Sequence, residues 1–181
     1  MCNFTYTISV FYFYSVRQMG GVYINSDCIL VDLFLSRSGM KTERQRAIDT
    51  ADRWFSRWIR ISDKRNQVNG KDIYCQCFTT KKYYHILEIQ CGHFITRGHF
   101  STRWDRDNAR PQGIYANKYK SGMPLEFELN LKDDIGAYSV GNLKRKGNMP
   151  YKWNVVEIRQ IAKEFRLLVR EKEKELGIKV W

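Results

Sequence analysis

Gln90-Cys91-Gly92-His93-Phe94-Ile95, followed by Thr102-Arg103-Trp104-Asp105, Asn108 and Asn117, is the stretch that decides how this 181-residue chain is read. The aromatic and apolar residues of 83–89 predict a strand, so His93 stands just beyond a strand end, with Asn108 and Asn117 further along. A His fixed at a strand end can take a proton from water, and an Asn in the following loop can brace that loop and orient the His. A third polar residue on the next helix can hold a divalent ion. In that scheme His93 and Asn108 are the catalytic candidates, and Asn117 offers a neutral amide oxygen to Mg²⁺ or Mn²⁺. The plainer alternative for His93 is a ring hydrogen-bonded within a turn.

Outward from this stretch the chain reads as α+β. Upstream, 72–78 and 83–89 read as short strands joined by a hairpin around 79–82, and 66–70 as a polar turn. Before them Thr42 and Gln45 form a capping-box pattern, and Ala47, Ala51, Trp54, Trp58 and Ile61 recur at helical spacing, which predicts a helix over 42–62. Its other face carries Arg44, Arg46, Arg53, Arg57 and Arg60, there to meet phosphates or simply water. Downstream, 92–122 is dense in Arg, His, Asn, Trp and Tyr, the composition of a loop-borne site. Helices are predicted over 125–135 and 138–145, separated by Gly136. A last helix starts at Asn154 with Glu157 three residues on, and buries Ile158, Ile161, Phe165 and Leu168.

Charge points to the partner. The net charge is +12, and Arg17, Arg37, Asp27 and Asp32 cancel within 1–39, so the whole excess lies from Met40 onward. Nucleic acid is the first polyanion to consider, and an acidic membrane surface the second. The runs Ile8 to Tyr14 and Cys28 to Leu35 are shorter than the roughly 18–20 apolar residues of a membrane span, so no transmembrane helix and no membrane partner is expected. The start lacks the basic residues of a signal peptide, and Met40-Lys-Thr before a capped helix reads as a translation start, which makes 1–39 a doubtful apolar extension. Five cysteines form no even-numbered framework and suit a reducing compartment.

In addition to the stretch quoted above, Trp58-Ile59-Arg60 with Asp63, Gln112, Ser121-Gly122, Ile135-Gly136 and Leu143 occur in an order that resembles the phage NinG recombination family. The resemblance implies a ββα finger of the His-Me or HNH-like kind, with a core near 72–122, flanked by an N-terminal helix and a C-terminal helical part over 123–181. It also implies a DNA-binding, structure-selective endonuclease that cuts Holliday junctions or D-loops in the cytoplasm of a bacterial host. Other phage recombination proteins are then possible partners. A DNA-binding accessory without catalysis is the alternative, and a basic module that docks another protein through its last helix is a third. Around the site, Arg97, Arg103, Arg106, Arg110, Lys118 and Lys120 are the candidates for phosphate contacts.

The family pattern has two CxxC pairs closing a structural zinc site. Here the corresponding residues are Cys77 and Thr80, then Gly113 and Ala116, so Cys77 is the only remaining ligand position and no structural zinc is expected. The spacing of Cys75 and Cys91, with His85 or His99, makes no substitute site. Activity survives the loss if packing by Ile114, Tyr115 and Tyr83 replaces the metal clamp; the equal alternatives are a DNA-binding relic or an altered, drifting copy. Asp105 either ligates the divalent ion or pairs with Arg103 or Arg106. His99 is either a phosphate donor or metal ligand, or a loop residue without special role. Trp104 is expected in the core, while Phe94, Phe100, Tyr115 and Tyr119 stack on unpaired bases or complete that core.

Overall fold

The computed structural model describes residues 41–181, which lie within one compact unit, Met40–Trp181. The readings made for 1–39 fall outside the described residues. Helix α1 (Glu43–Ile61) is capped by Thr42, whose Oγ1 accepts from the Gln45 amide at 3.1 Å. It buries Ala47, Ile48, Ala51, Phe55, Ile59 and Ile61. The predicted stripe is therefore turned slightly: Trp54 and Trp58 stay only partly buried because Phe55 takes the central position.

Strands β1 (Gln67–Asn69), β2 (Asp72–Gln76) and β3 (Tyr83–His85) form an antiparallel sheet in the order β1-β2-β3. The segment expected as a plain turn supplies β1 and the tight connection at Gly70, where φ is +60°. β4 (Gln90–His93) pairs antiparallel with β5 (Ala109–Gln112), and the pair His93↔Ala109 closes its register. A single turn of π-helix, Tyr115–Tyr119, follows directly, so this part of the chain runs strand, strand, helix.

α2 (Pro124–Ile135) and α3 (Ala137–Gly147) follow, divided at Gly136, whose φ of +87° stops one helix and starts the next. α4 (Val155–Leu176) opens on a complete capping box between Asn154 and Glu157 and ends at the left-handed Gly177. It buries Ile158, Ala162, Phe165 and Val169, one step round from the predicted Ile161 and Leu168.

Three apolar clusters hold these elements. α1 and α4 pack side by side through Phe55 and Phe165, ring centroids 5.0 Å apart and edge to face, with Trp104 of the β4–β5 connection and Ala109 of β5 against them. Ile61, Ile73, Cys75, Ile86, Ile89 and Val169 join the three-stranded sheet to the ends of both helices. Phe78, Phe127, Leu131, Val140 and Leu143 seat α2 and α3 against the β2–β3 turn. Each fully buried Phe or Leu contributes about 2–3 kcal/mol, so the short strands are held mainly by the helices packed against them. The fold is α+β, small antiparallel sheets framed by an N-terminal helix and C-terminal helices.

Candidate active site

The β4–β5 hairpin brings His93 and Asn108 to one end, and the long connection 94–108 must be held in place. Asn108 does this. It is completely buried; its Oδ1 accepts from the Ile95 amide at 2.7 Å, and its Nδ2 donates to the carbonyls of Ile95 at 2.9 Å and Thr102 at 3.0 Å. Its own carbonyl accepts from the Phe94 amide at 2.8 Å. With its side-chain amide committed to the backbone, Asn108 shapes the loop and leaves none of its amide hydrogen bonds to the cleft.

That loop returns the Arg103 carbonyl to His93 Nε2 at 3.1 Å. A carbonyl only accepts, so Nε2 carries the proton and Nδ1 keeps the lone pair. Burial pushes the His93 pKa down to about 4, and the Arg97 and Arg103 charges act the same way against the Arg103 carbonyl bond. The imidazole is therefore neutral at ordinary pH, with Nδ1 as its acceptor. Phe55 flanks the ring, centroids 5.7 Å apart.

His93 lines a cleft of about 610 Å³ together with Asp52, Ser56, Glu88, Gln90 and Asn117. Asn117, on the π-helical turn, donates from Nδ2 to Gln90 Oε1 at 2.8 Å, and its Oδ1 has no bond from the described residues. His93 and Asn117 thus share one cleft, with Arg97 and Lys118 also lining it. Glu88 is exposed and unpaired among the described residues.

Asp105 is not brought into this cleft. Its Oδ1 caps the following 3-10 turn by accepting from the Asp107 amide at 3.0 Å, and its Oδ2 pairs with Lys146 at 2.5 Å, not with Arg103 or Arg106. His99 is also accounted for, its Nδ1 meeting the Gly147 carbonyl at 2.8 Å and tying the loop to the end of α3.

The basic candidates divide into two kinds. Arg103 clamps Asp52 through Nε at 2.9 Å and Nη2 at 2.6 Å, and Arg110 pairs with Asp134 at 2.8 Å; the side chains are 14% and 12% exposed, which withdraws them from phosphate. Arg97, Arg106, Lys118 and Lys120 remain exposed. Asp52, absent from the sequence reading, is the anchor of the site: it also accepts from Trp104 Nε1 at 2.8 Å, which fixes the indole in the core and the loop on α1. Its signal in the sequence is an acid four residues after Ile48 and three before Phe55, on the buried side of an arginine-rich helix.

The region of the cysteine pairs is closed without thiolate ligands. Cys77 is buried, and its Sγ accepts from the Gly113 amide at 3.2 Å and the Thr80 amide at 3.5 Å. Burial pushes this thiol up, but these donors outweigh it and hold the pKa below the ordinary value. A Cβ on Gly113 would lie 2.8 Å from the Tyr84 ring, and Ala116 is fully buried. Tyr84 thus occupies the space that a residue-113 thiol would need, and the donor set does not fit a four-thiolate zinc. Ile114, Tyr115 and Tyr83, the apolar candidates for replacing the metal clamp, are 43%, 53% and 43% exposed and do not form such a packed unit. Cys75 and Cys91, both pushed up to about 12 by burial, are protonated thiols.

No helix among the described residues is long and apolar enough to cross a membrane. No curated protein and no solved structure shows significant similarity to the chain. The family model described as Bacteriophage Lambda NinG protein matches residues 36–175, which covers α1, all five strands and almost the whole of α4. The chain therefore belongs to the NinG family and is a phage recombination-related protein.

Proposed function

We propose that the protein is an HNH-like endonuclease that hydrolyses phosphodiester bonds in branched DNA, Holliday junctions or D-loops, within the host cytoplasm. The observation that carries this is the bond from His93 Nε2 to the Arg103 carbonyl, which leaves Nδ1 as the acceptor of a neutral ring, on a residue that lines one cleft with Arg97 and Lys118. Nδ1 takes a proton from the attacking water as its oxygen bonds to phosphorus; the bond to the leaving oxygen breaks and that oxygen takes a proton from solvent. Asn108 holds the loop that presents the Arg103 carbonyl, and Asp52 holds Arg103 itself.

A bound Mg²⁺ or Mn²⁺ supplies charge neutralisation at the phosphate and at the leaving oxygen. Asn117 Oδ1 and the Glu88 carboxylate are the oxygens of the cleft that would hold it, with Asp52 committed to Arg103 and Trp104. Among the described residues no three His, Cys, Asp or Glu side chains gather in a metal-holding group, so phosphate and water would complete the shell.

The second reading, a DNA-binding accessory without catalysis, is favoured by one observation: Asp105 spends its carboxylate on Lys146 and a backbone cap. Incubation of the full chain with a labelled four-way junction and Mg²⁺ or Mn²⁺ separates the two. Incision lost in His93→Ala supports the enzyme, and tight binding without incision supports the accessory.

A further inference from the structure

The His93 cleft does not use the basic residues on the other side of α1. Asp52 faces the cleft, and at 3.6 residues per turn Trp54 points about 200° away from it, into a groove between α1 and α4. This groove, about 650 Å³, is lined by Arg46, Thr50, Trp54, Arg159, Lys163 and Arg166. On α4 the cations Arg159, Lys163, Arg166 and Arg170 recur every three or four residues, one per turn, which spaces them about 5.4 Å apart along a single stripe. On α1 Arg46, Arg53 and Arg57 run beside them.

Only two acids answer this row among the described residues: Glu43 pairs with Arg159 at 2.6 Å and Glu173 with Arg170 at 2.7 Å. Arg46, Arg53, Arg57, Lys163 and Arg166 have no ion-pair partner among the described residues. The guanidiniums of Arg57, Arg166 and Arg170 lie 4.6, 5.7 and 5.6 Å from the Trp54 ring, which orders the row. Burial and the neighbouring Arg53 and Arg170 charges hold Arg57 below its usual range, a sign of like charges crowded together. A linear, regularly spaced anion relieves that crowding and matches the stripe.

We propose that the α1–α4 groove binds the sugar-phosphate backbone of a second DNA arm, while the His93 cleft engages the arm to be cut. The assignment rests on the DNA reading above and deepens it: two phosphate-binding surfaces on opposite sides of α1 favour branched over linear DNA. Contact is through charge, so the groove tolerates any base sequence.

The test titrates the full chain against a four-way junction and a linear duplex of equal length over a KCl series, for wild type and for Arg46→Ala/Lys163→Ala/Arg166→Ala. Losing three phosphate contacts should reduce the salt slope on the junction by about 2–3 and weaken junction binding at least tenfold, while duplex binding changes little. Arg46→Lys/Arg166→Lys keeps the charge and should keep the preference, which separates phosphate binding from a merely structural role of the stack. An unchanged far-ultraviolet circular dichroism spectrum controls for folding. If wild type prefers the junction and the triple variant keeps that preference, the groove assignment is overturned and the DNA reading stands. If wild type binds neither DNA, the DNA reading itself is overturned. Unchanged junction binding with lost binding to poly-glutamate would assign the groove to an acidic polypeptide and also overturn the proposal.

Discussion

Replacement of Asn108 tests the loop brace on which the site depends. Its side chain makes three hydrogen bonds at 2.7, 2.9 and 3.0 Å, all to backbone groups, from a position with no solvent exposure. Each such bond contributes about 1 kcal/mol net, and a buried group left without a partner costs about 1–3 kcal/mol more. Asn108→Ala should therefore destabilise the protein by about 4–6 kcal/mol. Asn108→Asp keeps the bond from the Ile95 amide but sets a carboxylate oxygen against the Ile95 and Thr102 carbonyls. It should cost at least as much as alanine, even though it is closer in shape. Urea unfolding of the three proteins at pH 7.5, followed by tryptophan fluorescence, measures the difference. An alanine variant within about 1 kcal/mol of wild type, or an Asp variant as stable as Asn, would refute the brace.

The remaining expectations concern His93 and the cysteine region. His93 has a folded pKa of about 4 against an ordinary 6.5, so the folded state binds fewer protons than the unfolded one between those values. Its stability contribution is present above pH 6.5 and is lost as pH falls to 4, on the order of 3 kcal/mol relative to His93→Gln; parallel pH–stability curves for the two proteins would contradict it. In Thr80→Cys/Gly113→Cys/Ala116→Cys the new residue 113 strikes the Tyr84 ring at 2.8 Å. Zinc measured by atomic absorption should stay near zero in that triple variant and approach one equivalent only when Tyr84→Ala is added. Full zinc with Tyr84 intact would show that the ring yields.

The elements that the sequence made legible are those whose signal is local. The caps at Thr42 and Asn154 and the break at Gly136 depend on residues within a turn of one another, and each is found where its pattern sits, whereas the single strand read over 83–89 is divided by a turn at 86–88 into β3 and β4, and His93 is the last residue of β4. The partition of the basic residues was not legible, because it depends on carboxylates far along the chain. Arg103 is removed from phosphate duty by Asp52 and Arg110 by Asp134, while Asp105 finds Lys146 on α3. The loss of three thiols was legible, but what packs beside Cys77 in their place was not. Tyr83 and Tyr84 differ by one strand position, and only the pairing of β2 with β3 decides which of them turns inward.

The most direct test of the account is chemical rescue of His93→Gly. If His93 Nδ1 is the base, removing the ring opens space in a cleft of about 610 Å³ and leaves Asn108, Asp52 and Asn117 in place. Incision of a four-way junction should then be lost while binding persists, and added imidazole should restore it in proportion to the neutral imidazole present. An incision rate in His93→Gly equal to that of wild type, or a complete loss that imidazole leaves untouched in a variant that still folds and binds, would contradict the assignment of His93 as the base.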